Sequence, residues 1–266
     1  MITQEEIHAF IEKIPPTPAI LKQTMGFVIQ GELTKAAKTA EGDPALKSYL
    51  ITQVNKPIYG FRNEVHDLSQ IFGILGISAA QQTLYNYMMS LLSPAKWELF
   101  DLNKVLFYDL QASLSTQWQK ILLHLNIENK EIETAITLLP ASIITCEALF
   151  KTHLQEVTLL RSFKALDYNT ILKRLGNLDL FDICETIAHK WELSPEVSVI
   201  IQASSGLKPA NDEHLNTLGK WMHLLLFYQL SQSAYIKAGL NDFIDFQTDY
   251  VQEIYEEFNA LIMEVS

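Results

Sequence analysis

Val65-His66-Asp67-Leu68-Ser69-Gln70-Ile71-Phe72-Gly73-Ile74-Leu75-Gly76 is the stretch that decides the fold. Asp67 stands three residues before Gln70, the spacing at which a carboxylate caps a new helix. Gly76 then lets that helix end, because glycine adopts the left-handed backbone that helix ends use. Ser78 and Gln81 repeat the start signal immediately afterwards. The segment therefore predicts one helix, a break, and a second helix.

The same punctuation recurs in both directions. Thr3 and Glu6 form a capping box ahead of Ile7, Phe10, Ile11 and Ile14, an apolar stripe at helical spacing. Pro15, Pro16 and Pro18 stop that helix and open the next. Asp43-Pro44 and Ser194-Pro195-Glu196 each pair a polar cap with proline at the first helical position. Gly31, Gly42, Gly76, Gly176 and Gly239 each follow a helical run. No segment alternates with the period of two that strands require. The expectation is an all-α chain of about a dozen helices with short turns. Ser93-Pro94 and the stretch from Ser204 to Asn211 are the soft boundaries, giving 1–93, 94–205 and 206–266. A long helical stretch is expected from Asp212 to Ala238.

Of the 266 residues, 48% are apolar and 19% charged, enough apolar content for a core without disulfide or metal staples. Cys146 and Cys184 are far apart in apolar stretches and belong to no Cys/His cluster, which suggests packing roles in a reducing compartment. The first residues lack the cationic start and cleavage site of a signal peptide. The most apolar run, Ala135 to Phe150, contains Pro140 and Glu147 and reads as too short and mixed to span a bilayer. A cytoplasmic protein without membrane insertion is expected. The net charge is −11, of which the residues beyond Lys237 supply −7 through Asp242, Asp245, Asp249, Glu253, Glu256, Glu257 and Glu264. Nucleic acid is not an expected partner, since binding it needs a basic footprint.

Motifs of catalysis are missing: there is no P-loop, no G-x-G-x-x-G, no H-E-x-x-H and no G-x-S-x-G. The seven histidines (His8, His66, His124, His153, His189, His214 and His223) include no pair at i, i+3 or i+4 that would aim two ligands from one helical face. His66-Asp67 is the dipeptide that names the HD metal-dependent phosphohydrolases, whose metals activate water for attack on phosphorus. Asp67 as a helix cap, with His66 before it in a loop, is the favoured reading. Trp118 with Ile121, Leu122 and Leu125 fits a buried stripe, as does Trp191 with Ile187 and Ala188. Tyr250, Ile254, Phe258, Leu261 and Ile262 share one face of the C-terminal segment, opposite its acids, and should dock on the body; release to meet a partner is the alternative.

Four motifs in order then carry a resemblance: Ile14-Pro15-Pro16-Thr17-Pro18-Ala19, Asp43-Pro44-Ala45-Leu46, Asn55-Lys56-Pro57-Ile58-Tyr59-Gly60, and the segment Val65 to Gly76. The succession resembles the HDOD domain, the HD-related output domain of bacterial signalling proteins, and the match runs best from Ile14 to Leu92. Asn55 and Tyr59 could serve a ligand, but a structural role is favoured because most buried polar groups satisfy backbone. The resemblance implies two helical subdomains, the second a degenerate HD-like bundle, followed by a C-terminal helical extension. The family often keeps a Leu-Leu-His-Asp relic; here Leu138-Leu139-Pro140-Ala141 stands in its place. Leu180 and Ala203 occupy two further positions where the family often has histidine, around the turn Trp191-Glu192-Leu193-Ser194-Pro195. None of these side chains can hold a divalent cation.

The resemblance thus implies a non-catalytic regulator that binds other signalling proteins. Input and output would come from other chains, and no catalytic, cofactor-binding or metal-binding residue is assigned. A residual phosphohydrolase, or a sensor of nucleotides or cyclic dinucleotides, is the alternative.

Overall fold

The structure is a computed structural model that describes residues 19–262 together with 5 and 9, except 95 and 192. The expected Thr3/Glu6 box, the apolar stripe to Ile14 and the prolines at 15, 16 and 18 lie outside the described residues. The regular structure of the described residues is all helical, with no strand among them. They fall into two compact units, one within 15–93 and the other from Pro94 onward.

The smaller unit holds α1 (Ala19–Ile29), α2 (Leu33–Ala40), α3 (Pro44–Val54), a 3₁₀ turn (Pro57–Tyr59) and α4 (Leu68–Leu92). Asp43 Oδ1 accepts from the N–H groups of Ala45 and Leu46, so Asp43-Pro44 starts α3 as expected. Asp67 Oδ1 accepts from Gln70 N at 2.8 Å, capping α4. Gly76 sits at φ 65°, ψ −176° and breaks α4 into two helical runs. Helix α4 is the platform of the unit, with α1, α2 and α3 all packed on it. Leu21, Val28, Leu46, Leu50, Ile71 and Phe72 are wholly buried there.

The larger unit contains α5 (Lys104–His124), α6 (Lys130–Thr134), a 3₁₀ turn (Ala135–Thr137), α7 (Leu138–Thr152), α8 (Leu154–Lys164) and α9 (Tyr168–Gly176). It continues with α10 (Leu180–Lys190), α11 (Pro195–Ala203), α12 (Glu213–Leu230) and α13 (Ser233–Lys237). The chain ends with 3₁₀ turns at Leu240–Phe243 and Gln252–Ile254 flanking α14 (Thr248–Val251), then α15 (Tyr255–Ile262). Helix α7 packs on α10, α10 on α11, and α11 on α12, so the core passes from one helix to the next. The α11–α12 crossing requires Gly219: a Cβ there would stand 2.5 Å from that of Ala203.

Several expectations change in detail. The stretch from Asp212 to Ala238 is two helices, because α12 ends at Leu230 and Ser233–Lys237 starts anew. Ser194 precedes α11 and Pro195 opens it, yet the Ser194 hydroxyl makes no capping bond. Gly42 has no left-handed backbone, and at the end of α9 it is Asn177 (φ 52°), not Gly176, that turns the chain. The apolar run extends over Glu131–Thr152, long and apolar enough to cross a membrane by those measures, but 83% of its most apolar window is buried within the protein. That burial is what a core helix shows.

Candidate functional site

The positions at which the resemblance places lost metal ligands lie on α7, α10 and α11, three successively packed helices. Pro140 and Ala141 sit in the first turn of α7, where proline's missing N–H has no intrahelical partner to lose. Both are buried, and Leu180 and Ala203 are wholly so. Cys184 on α10 donates its thiol to the Leu138 carbonyl at 3.6 Å, drawing α10 onto α7. Burial pushes the Cys184 thiol up to about 12 and the Cys146 thiol well above its ordinary value, so both remain neutral packing groups.

Polar side chains gather beside this core, and each is engaged. Asp179 caps α10 through Phe181 N and Asp182 N, while Asp182 Oδ2 accepts from Asp179 N, completing a capping box. Burial, followed by the nearby Asp182 carboxylate, holds the Asp179 carboxyl above the usual range. Burial also opposes ionisation of Asp182, but the Asp179 N–H and the Lys208 ammonium outweigh it and lower its pKa. Lys208 Nζ reaches Asp182 Oδ1 at 3.0 Å and Gln202 Oε1 at 2.9 Å, and Gln202 Nε2 donates to Glu185 Oε2 at 2.6 Å. The network braces α10 against α11 and the loop after it. Among the described residues no group of three or more His, Cys, Asp or Glu side chains is placed to hold a metal ion.

His66 and Asp67, the tempting pair, do not converge on anything. Asp67 is the cap of α4, and the exposed His66 faces Glu64 at 3.3 Å. Asn55 plays a structural role, in which its Nδ2 donates to the carbonyls of Ile51 (2.8 Å) and Val65 (2.9 Å), and its Oδ1 accepts from Val65 N (2.8 Å). One side chain thus closes the loop from Asn55 to Val65, with Gly60 (φ 65°) turning its tip. The loop displays Tyr59 and Phe61, 39% and 44% exposed, with ring planes within 5° and centroids 6.3 Å apart. Lys56 and Arg62 flank them and are also exposed. Two parallel rings are thus held out from a pinned loop of the smaller unit.

In the larger unit the C-terminal segment docks as expected. Phe258 is buried against Trp221 (6.0 Å) and Tyr228 (6.3 Å), and Ile254 and Ile262 are buried with it. Lys120 Nζ donates to the Leu261 carbonyl at 2.5 Å, His124 pairs with Glu257 at 2.6 Å, and Lys220 pairs with Glu253. Phe246, Thr248, Val251, Gln252, Tyr255 and Glu256 line an open groove of about 520 Å³ along this segment. Trp118 is wholly buried and donates from Nε1 to the Ile132 carbonyl at 3.0 Å, and Trp191 is buried too, so both belong to the core.

Two buried polar residues carry more than their place in the sequence suggests. Glu147, the acid inside the apolar run, accepts from three consecutive backbone N–H groups: Glu98 (2.5 Å), Leu99 (3.2 Å) and Phe100 (3.1 Å). His223 is wholly buried between the Ser204 carbonyl, 2.9 Å from Nδ1, and Gln247 N, which donates to Nε2 at 3.1 Å. That pair of partners fixes the neutral tautomer with the proton on Nδ1, and burial lowers the imidazole pKa. A lone acid in a sixteen-residue apolar run, and a histidine between Met222 and Leu224, are the sequence signals for both.

The family model of the HDOD domain matches residues 14–206, well over half of the chain. The chain belongs to the HDOD domain family. The family is a signalling-related one. The HDOD fold is shared with a crystal structure of an HDOD domain protein of unknown function from Geobacter sulfurreducens. That match has a TM-score of 0.58 at 13% identity and covers 98% of this chain and 99% of the other. A comparison with curated proteins returns no match.

Proposed function

We propose that this HDOD protein is a non-catalytic cytoplasmic regulator that acts by binding other signalling proteins. The observation that carries the reading is the chemistry at the decayed HD positions. Pro140, Ala141, Leu180 and Ala203 are buried and apolar, and Asp179 and Asp182, which flank Leu180 in the chain, are committed to a helix cap and to Lys208. A metal-dependent phosphohydrolase needs several convergent donors and a position open to water, and a packed apolar junction supplies neither. Recognition is left to the surface, where aromatic side chains with nearby cations make productive anchors. The Tyr59/Phe61 loop, with Lys56 and Arg62, is the anchor that this reading assigns.

Charge supports a protein partner over nucleic acid. Residues 15–93 hold six basic and five acidic side chains, a net of +1, so the rest of the chain carries −12. Neither unit offers the basic field that phosphate backbones require. The Tyr59/Phe61 rings beside two cations also suit a planar base and its phosphate, which makes a nucleotide or cyclic-dinucleotide sensor the second reading.

Capture from cell extract, by wild-type protein and by a Tyr59→Ser/Phe61→Ser variant, tests the first reading. The expected result is a defined set of signalling proteins retained by wild type and lost by the variant. Incubation with manganese and cyclic dinucleotides should give no hydrolysis and no rise in melting temperature, since a ligand that binds only the folded state would raise it. Hydrolysis would overturn the non-catalytic reading, and a rise without hydrolysis would establish the sensor instead.

A further inference from the structure

The chain beyond the 3₁₀ turn at Leu240–Phe243 is held to the body at two ends by different chemistry. At the near end Gln247 N donates to His223 Nε2 at 3.1 Å, while His223 Nδ1 donates to the Ser204 carbonyl at 2.9 Å. The Phe246 ring lies 18° from parallel with the imidazole, 5.8 Å away, and Tyr250 meets it at 87°. Phe246 also stacks on Phe227 at 4.2 Å. Gly206 makes room for Gln247, because a Cβ there would stand 2.6 Å from Gln247 Cγ. At the far end Phe258 is buried against Trp221, and Glu257 and Glu253 pair with His124 and Lys220.

A proton acts oppositely on these two ends. The Gln247 N–H needs the lone pair of Nε2, and an imidazolium, with N–H on both nitrogens, has none to give. Donor would face donor, and the new charge would be buried without a carboxylate partner. The ionisable groups around His223 do not relieve it. Tyr250 is in ring contact, and burial pushes its hydroxyl up to about 12, so it stays neutral. On α12 itself Lys220 is turned to Glu253, and after α11 Lys208 is turned to Asp182. Glu196, the one charged residue of α11, stands in its first turn, at the opposite end from Ser204. Asp242 is paired with Arg161, and Asp245 and Asp249 are exposed. The His124–Glu257 contact, by contrast, becomes a full ion pair when His124 takes up a proton.

We infer that a proton on His223 releases residues 246–250 from α11 and α12 while α15 stays docked, so that the segment opens in acid as a hinged strap. Opening parts Phe246 from Phe227 and reshapes the groove that Phe246, Val251 and Tyr255 line. In the closed form burial lowers the imidazole pKa, whereas in the open form the ring meets water and titrates near its ordinary 6.5. The open form therefore binds the proton more tightly, and opening is favoured as pH falls through 6.5. Between pH 7 and 5 the opening equilibrium rises by at most about 25-fold, the limit for one imidazole that titrates only when open.

Hydrogen exchange on the full chain, corrected for the intrinsic effect of pH, reads the strap at the Gln247 and Tyr250 amides, both bonded in the closed form. These amides should exchange faster than those of α10 at pH 7. Their protection should fall by roughly 10- to 25-fold at pH 5, while that of 255–262 holds or rises. His223→Gln has no ring to titrate, and its Gln247 amide should show the same protection at both pH values. Wild-type protection that does not change at Gln247, or that falls equally in His223→Gln, would overturn the inference. So would a loss in step at 255–262 or in α10, which would make His223 a group of global stability alone. That wild-type comparison decides the matter even if His223→Gln fails to fold.

Discussion

Glu147 and His223 show how much depends on single buried polar groups. Truncating Glu147→Ala would leave the three N–H groups at 98–100 without their acceptor, of which that of Phe100 is buried and those of Glu98 and Leu99 can reach water. Since an unsatisfied buried donor costs roughly 1–3 kcal/mol, the loss should be of that order, about 1–3 kcal/mol, in urea unfolding. His223 gives a pH signature. Its folded pKa lies below the ordinary 6.5, so in acid the unfolded chain takes up a proton that the folded protein refuses. Its contribution is therefore constant above 6.5, and stability falls as pH drops through 6.5, by at most about 1.4 kcal/mol per pH unit. His223→Phe should be less stable at neutral pH, because Ser204 O and Gln247 N lose their partner, and should show a shallower acid slope than wild type. Equal slopes would contradict this assignment. Sequence can flag both residues as lone polar groups in apolar runs. It cannot supply their partners, which lie 19 to 49 residues away in the chain.

At the scale of elements, the starts of helices are far more legible than their ends. Asp43, Asp67 and Asp212 cap the helices they precede, because a cap is a local bond between a side chain and the next N–H groups. Ends depend on where packing stops, which is why the stretch from 212 to 238 is two helices and not one. The apolar face of the C-terminal segment announces its docking, and Phe258 against Trp221 is the centre of that contact. Phe258→Ala should cost about 3–5 kcal/mol if α15 and the body unfold together. Hydrogen exchange over 248–262 would locate the loss, since protection that falls there alone would mark α15 as a separately opening unit. The pinned loop is half legible: Asn55, Tyr59 and Gly60 stand out as a motif, but the bonds from Asn55 to Val65 require the fold.

For the whole molecule, the all-helical class and the HDOD fold can be read from four ordered motifs. Function is less legible. A catalytic centre leaves convergent donors that sequence can register, whereas a recognition surface is defined by exposure, which sequence does not encode. The exposure of the paired Tyr59 and Phe61 rings, for one, emerges only once burial is known. The central claim is that the HD chemistry has been replaced by packing at Pro140, Ala141, Leu180 and Ala203. Its most direct test is metal content by mass spectrometry, on protein as isolated and after incubation with manganese or iron followed by desalting. We expect well under one metal per chain in both samples. Near-stoichiometric metal retained after desalting would contradict the claim, place the ligands elsewhere in the chain, and return phosphodiester hydrolysis to first place.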